Sequence, residues 1–103
     1  MYKLGGGYEG FLLHQIKNRG AIEYHFIFSV FKDKKPYLFY CAESHAENQS
    51  VYLGVFDEVG HKNLGVDDQC NDSMVFLLKA LEYVCEKLSL KREGIEEVPY
   101  HAK

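Results

Sequence analysis

Between Ala21 and Phe31 the chain alternates strictly. Ile22, Tyr24, Phe26, Phe28 and Val30 fall on one side, and Glu23, His25, Ile27 and Ser29 on the other. Only an extended strand gathers those five apolar residues on one face, because its side chains repeat every two residues. A helix would scatter them around its circumference. The fold must therefore contain a sheet with one face against a core.

Three further segments can join it. Tyr8–Lys17 reads as a strand with Phe11 and Leu13 facing one way and Leu12, His14 and Ile16 the other. Asn18-Arg19-Gly20 is a turn signal after it. Tyr37–Glu43 is apolar on both sides, with Tyr37, Phe39 and Cys41 opposing Leu38, Tyr40 and Ala42. It should sit centrally or be covered twice. In Val51–Asp57, Val51, Leu53 and Val55 alternate with Tyr52, Gly54 and Phe56, and Gly54 marks a close approach by another backbone. Lys32 to Pro36 is a polar loop in which Pro36 ends ladder donation.

After a long loop over Glu58–Asn71 the period changes. Met74, Leu77, Leu78, Leu81, Val84, Cys85 and Leu88 follow the i, i+3, i+4 rule of an amphipathic helix, with Lys79, Glu82 and Glu86 opposite. Asn71 or Asp72 suits the N-cap, basic residues crowd the last turn, and Gly94 is the expected stop. Short connections favour antiparallel neighbours. The expectation is one α+β domain over residues 1–103: an antiparallel meander of three to four strands packed by one C-terminal amphipathic helix. Residues 1–7 read as a flexible glycine-rich lead-in and 95–103 as a tail. A chain of 103 residues can hold such a core without metal or disulfides.

The charge is uneven. From Cys41 to Glu86 nine acids face only Lys62 and Lys79, a net charge of −7, while residues 1–40 carry six bases against three acids. A lopsided field of this kind steers partners of opposite sign. With a sequence pI near 5.9, nucleic acid is disfavoured as a partner. Tyr24, Tyr40 and Tyr52 could stack on bases, but the acids around them repel phosphate. No apolar run approaches the ~20 residues of a membrane-spanning helix. The start Met1-Tyr2-Lys3-Leu4 lacks the apolar core of a secretory signal, so a cytoplasmic location is expected. Cys41, Cys70 and Cys85 form neither a disulfide framework nor a Cys-x-x-Cys pair and read as reduced thiols.

Motifs for chemistry are weak. Gly5-Gly6-Gly7-Tyr8-Glu9-Gly10 has the letters G-x-G-x-x-G but too few residues ahead of it for the strand a dinucleotide site needs. Asp67 to Asp72, with His61 nearby, lacks EF-hand spacing and a zinc ligand set; acids there suit a helix N-terminus better. Cys41 with His45 would need a thiolate–imidazole contact, and Cys41 falls on an apolar strand face. Glu23 and Glu43 would make an acid pair only if their strands brought them together.

No catalytic residue, cofactor or metal site is therefore expected, and the chain reads as a non-enzymatic protein-interaction module. Its acidic loops would engage a basic protein partner, as an immunity or inhibitor protein engages a nuclease toxin, through Glu43, Glu47, Asp57, Glu58, Asp67 and Asp68. Two alternatives stand beside it. One is a homodimeric scaffold that covers the apolar surface a single helix leaves bare. The other is a small ligand-binding or enzymatic domain with a pocket between helix and sheet.

Overall fold

The computed structural model describes residues 1–16, 22–45 and 48–99. The turn expected over Asn18–Gly20, the acid Glu47 and the last four residues lie outside the described residues. Seven strands form one sheet: β1 (Tyr2–Gly5), β2 (Tyr8–Ile16), β3 (Ile22–Lys32), β4 (Lys35–His45), β5 (Asn48–Asp57), β6 (Gly60–Val66) and β7 (Glu96–Glu97). Their order is β6-β5-β4-β3-β2-β1-β7, and every pairing is antiparallel. One helix, α1 (Ser73–Leu88), packs on one face. The α+β class and the antiparallel meander are as expected. The strand number is not: the sheet has seven strands, not three to four.

The three additional strands lie where the side-chain pattern is silent. Tyr2–Gly5, inside the expected lead-in, pairs with β2 on one side and β7 on the other. The N-terminal amine donates to the Val98 carbonyl and Val98 N donates to the Met1 carbonyl, so the lead-in and the expected tail hold each other. Gly60–Val66, expected as loop, runs along β5. Its Asn63 side chain accepts from Gly65 N, next to an irregularity that places two β6 residues against one of β5. The Lys32–Pro36 loop is instead a tight hairpin. Asp33 and Lys34 both adopt positive φ (51° and 67°), the type I′ geometry that matches strand twist. Pro36 sits opposite Phe31 at a register shift, a position that tolerates its missing donor.

The core is the helix-side face of the sheet. Phe28, Val30, Leu38, Tyr40, Ala42, Val51, Leu53 and Val55 project from β3, β4 and β5 into it. A second register shift, between Tyr24 and Phe26, removes Tyr24 from this row. Tyr24 pairs with Glu43 on the other face, while Phe26 pairs with Ala42 in the core. Gly10 is required by Phe28. A Cβ there would lie 2.4 Å from the Phe28 ring, so only glycine lets that ring cross β2.

Helix α1 starts where its N-cap demands. The Asp72 side chain accepts from Met74 N and Val75 N, and Ser89 ends the helix at φ 55°, five residues before the expected Gly94. Its buried stripe is Phe76, Leu77, Ala80, Leu81, Val84 and Cys85. Met74 and Leu78, expected inside, are exposed, and Phe76 and Ala80 take their places. Phe76 is wholly buried, its ring stacked 5.3 Å from Phe26 and tilted 5.6 Å from Tyr40. Burial of Phe76, Leu77, Leu81 and Val84 contributes about 1.5–3 kcal/mol each, against a total stability of roughly 5–15 kcal/mol.

Two substitutions check this packing by thermal melting. Leu81→Asp places a charge in the core and should abolish the cooperative transition. Gly10→Ala should lower stability by about 1–3 kcal/mol through displacement of Phe28, whereas Leu78→Asp, on the exposed side of α1, should melt within about 0.5 kcal/mol of the parent.

Candidate functional site

The described acids of the sequence reading do not assemble into one surface. Asp57 and Glu58 occupy the β5–β6 turn. Asp67 and Asp68 lie past the other end of β6, where Asp67 N donates to Val51 O. Six strand residues, or about 20 Å, separate the two groups. Asp57 is occupied locally: it accepts from Val59 N and Gly60 N and pairs with Lys87 at 3.4 Å. Asp67 caps the 3₁₀ turn Asp68–Asn71 and pairs with Lys79. Asp68 accepts from Val51 N at 2.7 Å, and Glu58 is exposed. These acids tie the hairpin and the 3₁₀ turn to α1.

Glu43 stands apart. It is only 5% exposed and lies on the face of the sheet that α1 does not cover. Its carboxylate comes within 3.5 Å of His61 Nε2, reaching from β4 over β5 to β6. Gly54 makes that contact possible. A Cβ at Gly54 would stand 3.0 Å from His61 Nε2 and 3.3 Å from Glu43 Oε1. The close approach that the glycine foretold is therefore tightest to these two side chains, with the backbone carbonyl of Lys62 next at 3.5 Å. Tyr24 and Tyr52 are the cross-strand neighbours of Glu43. Burial, then the charge of Glu43, raises the Tyr24 hydroxyl above its ordinary pKa. The His61 ring also packs on Phe56, with 4.5 Å between centroids. Glu23 pairs with Ser44, so the two acids do not meet.

The rest of that face is apolar. Two rows cross the strands: Phe11, Ser29, Phe39 and Phe56, and beside it Leu13, Ile27, Cys41 and Gly54. The Phe11 and Phe31 rings meet edge to face, with centroids 5.6 Å apart. Leu13 is 43% exposed. Two hollows open here. One, of about 510 Å³, lies over β2 and β3; the other, of about 260 Å³, lies between Pro36, Tyr37, Phe39 and Phe56. Between helix and sheet, Phe76 and its neighbours form the buried core.

The three cysteines are free, buried thiols. Burial pushes Cys41 up to about 12 and Cys70 up to about 11, and Cys41 Sγ is spent on the Gly54 carbonyl at 3.5 Å. His25 bonds the Ser44 hydroxyl at 2.9 Å. The side chain of His45 lies outside the described residues. Among the described residues, no group of three His, Cys, Asp or Glu side chains is placed to hold a metal ion, and no helix is long and apolar enough to cross a membrane. Comparisons with family models, with curated proteins and with solved structures find no match for this chain.

Hydrogen bonds from Val59 N to Asp57 and from Lys79 to Asp67 hold both carboxyls below their ordinary 3.8. A depressed carboxyl contributes stability that is present above 3.8 and is lost as pH falls through the lower folded value. Urea unfolding should therefore show stability declining below roughly pH 4, and Asp57→Asn or Asp67→Asn should each flatten that decline. An unchanged acid limb in both variants would show that these bonds do not form in solution.

Proposed function

We propose that this chain is a protein-interaction module whose working surface is the helix-free face of the sheet, and that the partner seated there is a second copy of the chain. The observation that carries this reading is the two apolar cross-strand rows through Phe39 and Cys41 on a face that, among the described residues, has no second layer. A sheet face this apolar is normally packed against another layer. One helix of sixteen residues is about 24 Å long and about 10 Å wide, and it covers only the opposite side.

Area supports the same partner. Seven strands span about 29 Å, and a mean of about eight residues per strand gives a face near 700 Å². A standard interface buries roughly 800 Å² per partner, so two such faces are of the right size for each other. Both carry the same apolar rows, and an isologous dimer requires a patch that matches itself. Aromatic rings in the middle with polar groups at the rim is also the usual interface pattern.

The alternative, acidic loops that bind a basic partner such as a nuclease toxin, draws less support from the geometry. Asp57 and Asp67 are paired with lysines and stand at opposite ends of a hairpin. Steering needs a common field, and these charges are spread and partly neutralised.

Sedimentation at rising protein concentration tests the pairing. The 11.9 kDa protomer should move as a species of twice that mass. Phe39→Lys, which is free to extend into water in one copy, should melt cooperatively yet sediment as a monomer at concentrations about 100-fold higher, a cost typical of an interface centre. A wild-type chain that stays monomeric throughout would contradict the proposal.

A further inference from the structure

The larger hollow on the helix-free face has a polar end and an apolar end. Phe11, Leu13 and Phe31 supply apolar walls, and the buried Ser29 lies between strands. Glu9 and Lys34 supply one negative and one positive group. Glu9 lies on β2 opposite Phe31, and Lys34 is placed by the type I′ turn after β3. Although they line the same hollow, the two do not bond each other, and neither has an ion-pair partner among the described residues. Leu13 lies four residues, about 13 Å, from Glu9 along the same side of β2.

Two opposite charges that share a hollow without meeting match a ligand that carries both signs close together. An apolar wall beyond them matches a ligand with an apolar side group. We infer that this hollow binds a zwitterionic α-amino acid with an aromatic or branched aliphatic side chain. Its ammonium donates to the Glu9 carboxylate, its carboxylate accepts from the Lys34 ammonium, and its side chain lies against Phe11, Leu13 and Phe31. The volume, about 510 Å³, is within the range of small-molecule sites and leaves room for the backbone atoms of a short peptide end. Each charged contact is made at a rim open to water, so affinity is modest and rests on the apolar wall, while the charges set orientation and selectivity.

This inference goes beyond the pairing of two copies and does not rest on it; Phe11, Leu13 and Ser29 also belong to the rows that pairing would cover, so ligand and second copy compete for this part of the face. The experiment is a titration of isotopically labelled protein with L-phenylalanine, followed by amide resonances. Saturable shifts should map to Phe11, Leu13, Ser29 and Phe31. N-acetyl-L-phenylalanine lacks the cation and phenylalaninamide lacks the anion, so each should bind about tenfold more weakly. Glu9→Gln should erase the preference over the acetylated compound, and Lys34→Met the preference over the amide, with the remaining spectrum unchanged. Equal binding of the three compounds, or shifts that avoid those four amides, would overturn the inference. So would variants that discriminate as the parent does. The same titration on Phe39→Lys, whose changed residue does not line the hollow, separates the two proposals: binding that persists in a monomer supports this one whatever becomes of the dimer.

Discussion

The fold depends on the wedge of Phe76 between Phe26 and Tyr40. These three rings, wholly or largely out of water, are where the only α-helix among the described residues meets the sheet. Helix α1 could not hold itself in water at sixteen residues without such burial, because most helical stability in proteins comes from packing. The sheet gains as much in return: β3, β4 and β5 send eight side chains to that face, and α1 is the layer that covers them. Asp72 fixes where the helix starts, and the pairs Lys79–Asp67 and Lys87–Asp57 tie its middle and its last turn to the open end and the turn of the β5–β6 hairpin.

With one α-helix among the described residues, the meander of seven strands keeps one face free of a covering helix. Around Glu43 that face is built with care: a glycine at position 54 lets a buried carboxylate and an imidazole from strands on either side of β5 come together, and Tyr24 is turned out of the core to join them. Over β2 and β3 the same face is a plain apolar hollow edged by Glu9 and Lys34. The two regions differ in chemistry, and the Phe39 row joins them, from Phe11 and Ser29 in the hollow to Phe56 against His61. A docking partner would meet apolar contact in the middle and directional polar groups toward the margins, the usual division of labour in an interface.

Strands whose side chains alternate were legible from residues alone. β3, β4 and β5 show their two faces in the letters, and so does the helix in Leu77, Leu81 and Val84. β1, β6 and β7 were not legible, because Tyr2–Gly5, Gly60–Val66 and Glu96–Glu97 carry little apolar pattern and owe their conformation to the ladder of a neighbour. The helix phase was half right for a related reason. Leu77, Leu81 and Val84 define a stripe that can widen toward Met74 and Leu78 or toward Phe76 and Ala80. Which flank is buried follows from the shape of the sheet beneath it.

The candidate site was hidden more deeply. Glu43 and His61 lie eighteen positions apart, on strands that are not neighbours, and the only trace of their meeting was Gly54 in an otherwise apolar strand. The acids that looked like a group in the linear chain were separated by the length of a hairpin, since antiparallel pairing sends successive turns to opposite ends of a sheet. Charge density along a sequence is thus a poor guide to charge density in space when the intervening segment is a strand.

The account stands on the helix-free face being the surface at which two copies meet. Isotope-filtered nuclear Overhauser spectroscopy on a mixture of labelled and unlabelled protein reads that contact directly. The account predicts cross-peaks between copies that involve the Phe39, Phe56 and Ile27 side chains. Cross-peaks from Met74 or Leu78 on the outer side of α1, or none at a concentration where the protein sediments as a dimer, would contradict it.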